Sequence, residues 1–365
     1  MAESTTRGRP DHNDGPGGHL GTEPLVRVDH LRVEYPVNIR RGWRTTRRTL
    51  QAVADVSLDI AGHRTLGLVG ESGSGKSTLG RAIIQLQPIA SGSVTFDGID
   101  LSGLSYHQMR AVRRGMQIVF QDPYSSLNRR MTVSQLIERP LRIQRVGSAA
   151  SRAKRVTELL DLVGLGTSMA GRYPIELSGG QRQRVGIARA LSTSPKFIVC
   201  DEPISALDVS IQAQITDLLV SIQQELGLTY LFIAHDLAAV RSISHEVAVM
   251  YLGTIVELAD ADELFRRRLH PYTKALISAA PIPDPAVQRS RERIVLTGEQ
   301  PSRLDVPVGC VFASRCPFRR ELCLHEPPPL LTARDGHRVA CHFWSEIENG
   351  THLPETEPQL QEGLR

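Results

Sequence analysis

A run of eight residues that combines three glycines with a lysine constrains this chain more than any other feature. It follows the short apolar segment Thr65–Val69 and leads into a stretch of helical character, Lys76–Gln85. A glycine-rich turn between a strand and a helix is the context in which this pattern binds phosphate. The run consists of Gly70, Glu71, Ser72, Gly73, Ser74, Gly75, Lys76 and Ser77.

Each part of this run has a chemical reason. The glycines let the backbone curl, so that its N–H groups and the helix N-terminus face an anion. Lys76 is expected to neutralise the β- and γ-phosphate oxygens of a nucleotide, and the Ser77 hydroxyl to ligate Mg²⁺. The run therefore predicts a nucleotide site.

An acidic pair supplies the second part of the predicted site. Asp201 follows the apolar run Phe197–Cys200, where its carboxylate can hold Mg²⁺ through water. The adjacent Glu202 is placed to polarise an attacking water. Such pairs are common at strand ends, but together with the glycine-rich run this one indicates nucleotide hydrolysis.

The hydrophobic pattern predicts an α/β core. Leu25–Tyr35 and Ala52–Ile60 alternate apolar and polar residues, which is typical of antiparallel strands with one buried face. Phe197–Cys200 and Thr229–Ala234 are apolar runs on either side of the helical stretch Ser210–Leu226, the pattern of buried parallel strands joined by a crossover helix.

A helical subdomain is predicted to interrupt this core. Gln117–Phe120 reads as one more strand, and the two segments after it, Thr132–Arg145 and Ser151–Val163, have helical spacing with charges on the outer face. After about Arg266 the prolines and turns increase. Pro281–Pro285 there reads as a linker into a small separate module.

Composition excludes some classes of protein. Hydrophobic residues make up 41% and charged residues 22%, as in soluble globular proteins, and no run approaches the ~20 apolar residues of a membrane-spanning helix. A membrane role is thus expected only through partners. The net charge of +4 is mild, and the one basic cluster predicts a solvated hairpin rather than a nucleic-acid surface. That cluster is Arg40, Arg41, Arg44, Arg47 and Arg48.

The segment Leu177-Ser178-Gly179-Gly180-Gln181 enters an amphipathic helix and resembles the signature motif of the ABC family. Glycines and a serine at a helix N-terminus form an anion site. The resemblance implies that this site binds the γ-phosphate of ATP held by a second cassette, so that two cassettes enclose two nucleotides.

The same resemblance implies further roles. Tyr35 corresponds to the aromatic residue that stacks on adenine, and Asp208 to a dimer-contact aspartate. Catalysis is assigned to Glu202 and His235, the latter as the switch histidine, and Mg²⁺ to Ser77, Gln121 and Asp201. The ATP contacts within one chain are then Tyr35, Gly70, Glu71, Ser72, Gly73, Ser74, Gly75, Lys76, Ser77, Thr78 and Gln121.

The C-terminal part resembles the ATPases of dipeptide/oligopeptide permeases, through His270–Leu276 and the residues from Gly298 to Cys310. Gln121–Asn128 and the arginine-rich hairpin are most similar to the second, F-type ATPase, although Arg129 stands where a proline is common. Segment Gln121–Met131 and the helices after it are expected to grip a coupling helix of the permease.

This resemblance implies partners and a location. The partners are a paired ABC ATPase, either a different D-type chain or a second copy, two transmembrane permease subunits, and an extracytoplasmic solute-binding protein. The implied location is the cytoplasmic face of the cell membrane, and the implied cargo is a small peptide. Nickel, glutathione or glycoside import, or a soluble ABC ATPase acting on nucleic acid, are the alternatives.

Four of the five cysteines crowd into one short region, with spacing C-x5-C-x6-C-x17-C. Four thiolates can hold zinc or a [4Fe–4S] cluster, and the lack of C-x2-C pairs is unlike ordinary zinc ribbons. The resemblance favours iron–sulfur over zinc, and unligated thiols are the third reading. The residues are Cys310, Cys316, Cys323 and Cys341; Cys200 is expected to pack in a buried strand.

These expectations define the predicted architecture. The fold is α/β, a P-loop NTPase of ABC type, with a RecA-like core, an antiparallel β-subdomain, an inserted helical subdomain and a small C-terminal cysteine-containing module. Residues 1–23 form a disordered tail, 24–265 the nucleotide-binding domain with helices at about 122–176, 266–346 the C-terminal module, and 347–365 a polar tail.

Overall fold

A computed structural model describes residues 23–41, 44–279, 294, 296, 298 and 300–350. Several predicted features fall outside these ranges: nearly all of the tail at 1–23, the linker Pro281–Pro285, Glu299 of the permease-like segment, and residues 351–365 of the polar tail. In the described ranges, no helix combines the length and apolar character needed to cross a membrane.

The described strands are β1 (Val26–Arg41), β2 (Arg44–Ile60), β3 (Thr65–Val69), β4 (Ser91–Phe96), β5 (Ile99–Asp100), β6 (Met116–Val119), β7 (Phe197–Asp201), β8 (Thr229–Ile233), β9 (Glu246–Tyr251), β10 (Thr254–Asp260), β11 (Leu331–Arg334) and β12 (His337–Val339). The described helices are α1 (Lys76–Ile83), α2 (Tyr106–Val112), α3 (Pro123–Ser126), α4 (Val133–Ile143), α5 (Ala149–Leu162), α6 (Gly179–Leu191), α7 (Val209–Leu226), α8 (Leu237–Ile243), α9 (Ala261–Arg266), α10 (Pro271–Ser278), α11 (Glu321–His325) and α12 (Trp344–Glu348).

The first sheet is antiparallel, with strand order β2-β1-β4-β5. Strands β1 and β2 pair from Val26 opposite Ile60 to Arg41 opposite Arg44, so the arginine-rich segment is the tip of one long hairpin. The alternation in the sequence buries one face of this sheet, including Val26, Val28 and Ile60. The predicted antiparallel subdomain is thus confirmed.

The second sheet has the order β11-β12-β10-β9-β3-β8-β7-β6, and its strands β9, β3, β8, β7 and β6 are parallel. All residues of β3, β7 and β8 are buried, which is why these strands read as continuous apolar runs. The buried apolar side chains form two clusters, one on each face of this sheet. Leu231 and Ile233 belong to the smaller cluster, under the antiparallel sheet, whereas Tyr230 and Phe232 belong to the larger cluster, under the helices.

The predicted helices after β6 are present, with shifted ends. Helix α4 begins after Thr132, whose side chain accepts a hydrogen bond from Gln135 N while Gln135 Oε1 accepts one from Thr132 N. This reciprocal cap satisfies two backbone donors that a helix N-terminus otherwise leaves unpaired. Helix α5 begins after Ser148, whose Oγ accepts from Ser151 N at 3.2 Å.

The C-terminal region, which the sequence predicts as a small module, is joined to the core sheet through strand pairing. Strand β12 pairs with β10, with Glu257 opposite Val339 and Leu258 opposite Arg338, and thereby extends the core sheet. Phe312 is fully buried in the larger core cluster. The polar tail also begins later than predicted, because Ile347 lies in α12 and is buried. The short strands β11 and β12 give too little periodicity for the sequence to reveal this pairing.

Candidate ATP-binding and hydrolysis site

The glycine-rich run connects β3 to α1 as the sequence predicts. The turn is closed by a hydrogen bond from Ser74 N to Glu71 O at 3.0 Å. Gly75 has φ +110°, and a Cβ at this position would collide with the carbonyl oxygen of Ala52. Only glycine adopts this backbone without strain and leaves space for the neighbouring strand, so the turn requires it.

Lys76 stands at the first position of α1 and is 4% exposed. Its Nζ donates to the carbonyl oxygens of Gly70 at 2.8 Å and Glu71 at 3.0 Å, so the ammonium lies within the turn. Burial lowers the pKa of Lys76, while the nearby carboxylate of Glu202 opposes that shift. Ser77 and Thr78 are half-buried in the first turn of the same helix.

Asp201 ends β7 and is fully buried. Its Oδ2 accepts a hydrogen bond from Arg81 Nη2 at 3.0 Å, whereas its Oδ1 has no hydrogen-bond partner among the described residues. The sequence did not indicate Arg81, because nothing in it relates the second turn of α1 to the end of β7. A buried carboxylate oxygen without a donor fits a metal-bound water, which is the ligand that the sequence predicts here.

Gln121, Glu202 and His235 converge at the ends of three neighbouring strands. Gln121 Nε2 donates to Glu202 Oε2 at 2.9 Å, and His235 Nδ1 lies 3.7 Å from the same oxygen. Glu202 has φ +48°, a left-handed conformation that is uncommon outside glycine, and its N–H bonds Ile233 O at 2.9 Å. Parallel strands bring their carboxyl ends to one edge, and this explains why residues so far apart in sequence meet.

The segment Ser178–Gln181 begins helix α6. Ser178 Oγ accepts from Gln181 N at 3.3 Å, and Gln181 Oε1 accepts from Ser178 N at 2.9 Å. Gly180 lies against α7, since a Cβ there would stand 2.7 Å from Ile211 Cγ2. Among the described residues, no hydrogen bond or ion pair joins this segment to residues 70–78, so the structure does not bring these two predicted ATP contacts together within one chain.

The sequence assigns Tyr35 to stacking on adenine and Asp208 to a dimer contact. Tyr35 is half-buried in β1 opposite Leu50 and packs against the smaller core cluster. Asp208 is exposed at the N-cap of α7, and its side chain makes no capping bond to that helix. Their predicted roles remain predictions.

The C-terminal region contacts the glycine-rich turn, which the sequence did not reveal. Arg315 Nη1 donates to both carboxylate oxygens of Glu71, at 3.1 and 2.8 Å. Glu71 N donates to the hydroxyl of Tyr272 in α10 at 2.8 Å. The backbone and the side chain of one turn residue are thus both held by residues beyond position 266.

The four clustered cysteines line a single cavity of about 20 Å³. Burial raises the pKa of the Cys316 thiol to about 12 and of Cys341 to about 11, and Cys310 N donates to Cys323 O at 2.8 Å. In the described part of the chain, however, no three histidine, cysteine, aspartate or glutamate side chains are arranged to hold a metal ion. The structure shows the convergence of the thiols but not the predicted cluster.

Comparison with protein families gives two matches. Residues 53–205 match the family described as ABC transporter, and this range includes β3, the glycine-rich turn, the segment Ser178–Gln181 and β7. Residues 256–323 match the family described as oligopeptide/dipeptide transporter, C-terminal region. The second match covers β10, α10 and three of the four clustered cysteines.

Relatives match over most of this chain and most of their own length. A probable peptide ABC transporter ATP-binding protein of Sinorhizobium fredii is 51% identical over 322 residues, 88% of this chain and 90% of the relative. A putative oligopeptide transport ATP-binding protein of Bacillus subtilis is 49% identical over 326 residues, with 89% and 97% covered. The oligopeptide transport ATP-binding protein AppF of Bacillus subtilis is 50% identical over 297 residues, with 81% and 90% covered.

Solved structures share the cassette fold. A dimeric ATP-binding cassette in a post-hydrolysis state with ADP and phosphate aligns with TM-score 0.56 and 29% identity, over 65% of this chain and 99% of that one. The cbiO1 subunit of a Clostridium perfringens ABC transporter complex aligns with TM-score 0.58 and 27% identity, over 68% and 92%. The sequence, the fold and the turn geometry therefore agree: the chain belongs to the oligopeptide/dipeptide family of ABC transporter ATP-binding proteins.

Proposed function

We propose that this chain binds and hydrolyses ATP to energise an importer of small peptides. One observation carries the catalytic part: the side chains of Gln121 and His235 lie beside the carboxylate of Glu202, the residue that follows Asp201 at the end of β7. The relatives named as peptide and oligopeptide transport proteins support the cargo. Nickel, glutathione and glycosides are the alternative cargoes.

In this proposal, residues 70–78 hold the phosphates of ATP, and Tyr35 stacks on the adenine. The positive ammonium of Lys76 replaces part of the water that solvates the β- and γ-phosphates, and the N–H groups of the turn and of α1 donate to them. Support comes from the buried position of Lys76 and from the absence of an acidic partner for it among its described hydrogen bonds.

A magnesium ion fits the residues that the sequence assigns to it. Ser77, Gln121 and Asp201 would hold it, and the unpartnered Oδ1 of Asp201 is the observation that supports this. When bound, the ion neutralises charge on the phosphate oxygens. Arg81 holds the other oxygen of Asp201 and so orients the carboxylate.

Glu202 acts as the group that polarises the attacking water. Its carboxylate is 17% exposed at the open edge of the sheet, where a water can reach it. His235 contacts the γ-phosphate, and Gln121 orients Glu202 through the 2.9 Å hydrogen bond between them. A base and a phosphate ligand on adjacent strands can act on one water molecule between them.

ATP hydrolysis then requires a second cassette. Ser178, Gly179, Gly180 and Gln181 make no described contact with the phosphate-binding turn of their own chain, and they stand at the N-terminus of the 13-residue helix α6. This anion site is available to the nucleotide of a facing chain. The exposed Asp208 lies at the start of α7, beside the Gly180 contact, and serves the same interface.

The partners follow from the family and remain proposals. They are a paired ATPase, two transmembrane permease subunits that segment Gln121–Met131 grips, and a solute-binding protein outside the membrane. The chain then works on the cytoplasmic face of the membrane as a peripheral subunit.

The cysteine cavity is proposed to hold a [4Fe–4S] cluster, with zinc or free thiols as the alternatives. Cys310, Cys316, Cys323 and Cys341 line the same cavity, which supports a shared ligand. Metal analysis and a visible absorption spectrum of anaerobically purified protein decide between the three. A colourless protein that contains neither iron nor zinc would leave the thiols unligated.

The central test is Glu202→Gln in the reconstituted transporter. This change keeps the shape of the side chain and its hydrogen bond to Gln121 but removes its ability to take a proton. ATP turnover should fall by about a hundredfold or more, while ATP stays bound. Turnover at the wild-type rate would remove Glu202 from the role proposed here.

A further inference from the structure

A short C-terminal segment around Arg303 is attached to the N-terminal hairpin. Arg303 O accepts a hydrogen bond from Gln51 N in β2 at 3.4 Å. Arg48 Nη2 donates to Leu304 O at 2.8 Å and to Asp305 Oδ1 at 2.6 Å. One arginine of the hairpin tip therefore binds within the chain, whereas the sequence predicted only solvated charge there.

This attachment puts Arg303 between the two ends of the proposed ATP site. Gln51 is paired with Glu34, the neighbour of Tyr35 in β1. At the other end, Arg303 Nη2 lies 4.0 Å from the position that a Cβ would take on Gly73 of the phosphate-binding turn. The side chain thus runs from the hairpin that carries the proposed adenine contact to the turn that holds the phosphates.

The guanidinium of Arg303 has unmet hydrogen-bonding capacity. Its Nη2 is buried and has no hydrogen-bond partner in the described ranges, and burial lowers the pKa of this arginine. A buried guanidinium N–H group without an acceptor is costly unless an anion lies beside it.

We propose that Arg303 is a phosphate ligand of ATP, supplied to the nucleotide site by the C-terminal region. This rests on the proposed function, because it needs ATP in the turn at residues 70–78. A guanidinium suits the task, since its planar group of N–H donors pairs with phosphate oxygens and keeps its charge when half-buried. Arg303 lies outside the sequence motifs that predicted the ATP site.

The test is equilibrium binding of MgATP and MgADP to the purified full-length chain. Arg303→Ala should weaken binding of ATP by about tenfold or more, as expected for loss of a charge-assisted hydrogen bond. Arg303→Gln, which keeps a polar but shorter and uncharged side chain, should weaken it to a similar extent. The matched control is Arg47→Ala on the same hairpin, whose exposed side chain should matter by no more than about twofold.

Two outcomes overturn the inference. Unchanged ATP affinity in both Arg303 variants, with thermal unfolding like that of the wild type, shows that the guanidinium does not bind phosphate. Tighter ATP binding by these variants shows that the Arg303 guanidinium occupies the phosphate position and competes with ATP. If the wild-type chain itself binds no ATP, and Lys76→Ala changes nothing, the proposed function fails first.

Discussion

Arg315 Nη1 lies 2.8 Å from Glu71 Oε2 and 3.1 Å from Glu71 Oε1, although the two residues are 244 positions apart in the chain. The side chain of Arg315 is only 10% exposed, so this ion pair is largely shielded from water. Together with the Tyr272 hydroxyl, which accepts from Glu71 N, it holds one residue of the glycine-rich turn from the C-terminal side.

Arg315→Ala should therefore weaken ATP binding, although the proposed site includes no direct contact between Arg315 and the nucleotide. Loss of Arg315 leaves the partly buried carboxylate of Glu71 unpaired, which costs about 1–3 kcal/mol. This cost appears as lower stability of the fold or as a less ordered turn. We expect ATP affinity to fall severalfold and the urea midpoint to drop. The double variant Glu71→Gln with Arg315→Gln should recover part of both, because it removes the unpaired charge. No recovery would indicate that Arg315 acts elsewhere.

Glu257 should be essential for the junction between the core sheet and the C-terminal region. Its fully buried carboxylate accepts from Leu269 N at 2.7 Å, from His270 N at 3.1 Å and lies 2.8 Å from His337 Nε2. Breaking such a buried network costs about 3–5 kcal/mol. Glu257→Ala is expected to lower the free energy of unfolding by that amount in urea titrations.

The control for this change is Glu321→Ala. Its side chain is 83% exposed and its ion pair with His325 lies on the surface, so we expect an effect within about 0.5 kcal/mol. Equal losses in the two variants would show that the buried network contributes nothing beyond an ordinary surface contact.

Sequence patterns predicted the parts of this molecule that depend on neighbours along the chain. The turn at 70–77 and the strand before Asp201 were found because glycine spacing and unbroken apolar runs are local signals. The contacts of Arg81 with Asp201 and of Arg315 with Glu71 were not predicted, since residues far apart in the sequence meet only in the folded chain. The pairing of the C-terminal region with the core sheet was not predicted either, because β12 is only three residues long.

Gly75 offers a test of the turn itself. Its φ of +110° and the nearby carbonyl of Ala52 leave no room for a methyl group, so Gly75→Ala must distort the turn. A residue forced into such a conformation costs about 1–3 kcal/mol. ATP binding should fall by about tenfold or more in a direct titration.

Gly186→Ala is the matched control for that substitution. Gly186 lies within α6, and a Cβ there meets nothing within 4 Å. Alanine favours a helix interior over glycine by about 0.5–1 kcal/mol, so this variant should bind ATP normally and be slightly more stable. If both variants lose ATP binding alike, the special backbone of Gly75 is not the cause.

The proposed composite site makes a prediction that separates binding from turnover. Ser178 has no described contact with residues 70–78 of its own chain, so Ser178→Arg should leave ATP binding by the isolated subunit within about twofold. In the assembled transporter the arginine would fill the space that a facing γ-phosphate needs, and turnover should fall by about a hundredfold. Lys76→Ala, in contrast, should lose both.

Loss of the helix cap must be separated from loss of this contact. Ser178 caps α6, and a lost N-cap costs about 1 kcal/mol regardless of any nucleotide. Ser148 caps α5 in the same way, accepting from Ser151 N at 3.2 Å, so Ser148→Arg reproduces the capping loss alone. If Ser148→Arg abolishes turnover equally, or if Ser178→Arg weakens ATP binding by the isolated chain, Ser178 does not act on the nucleotide of a facing subunit.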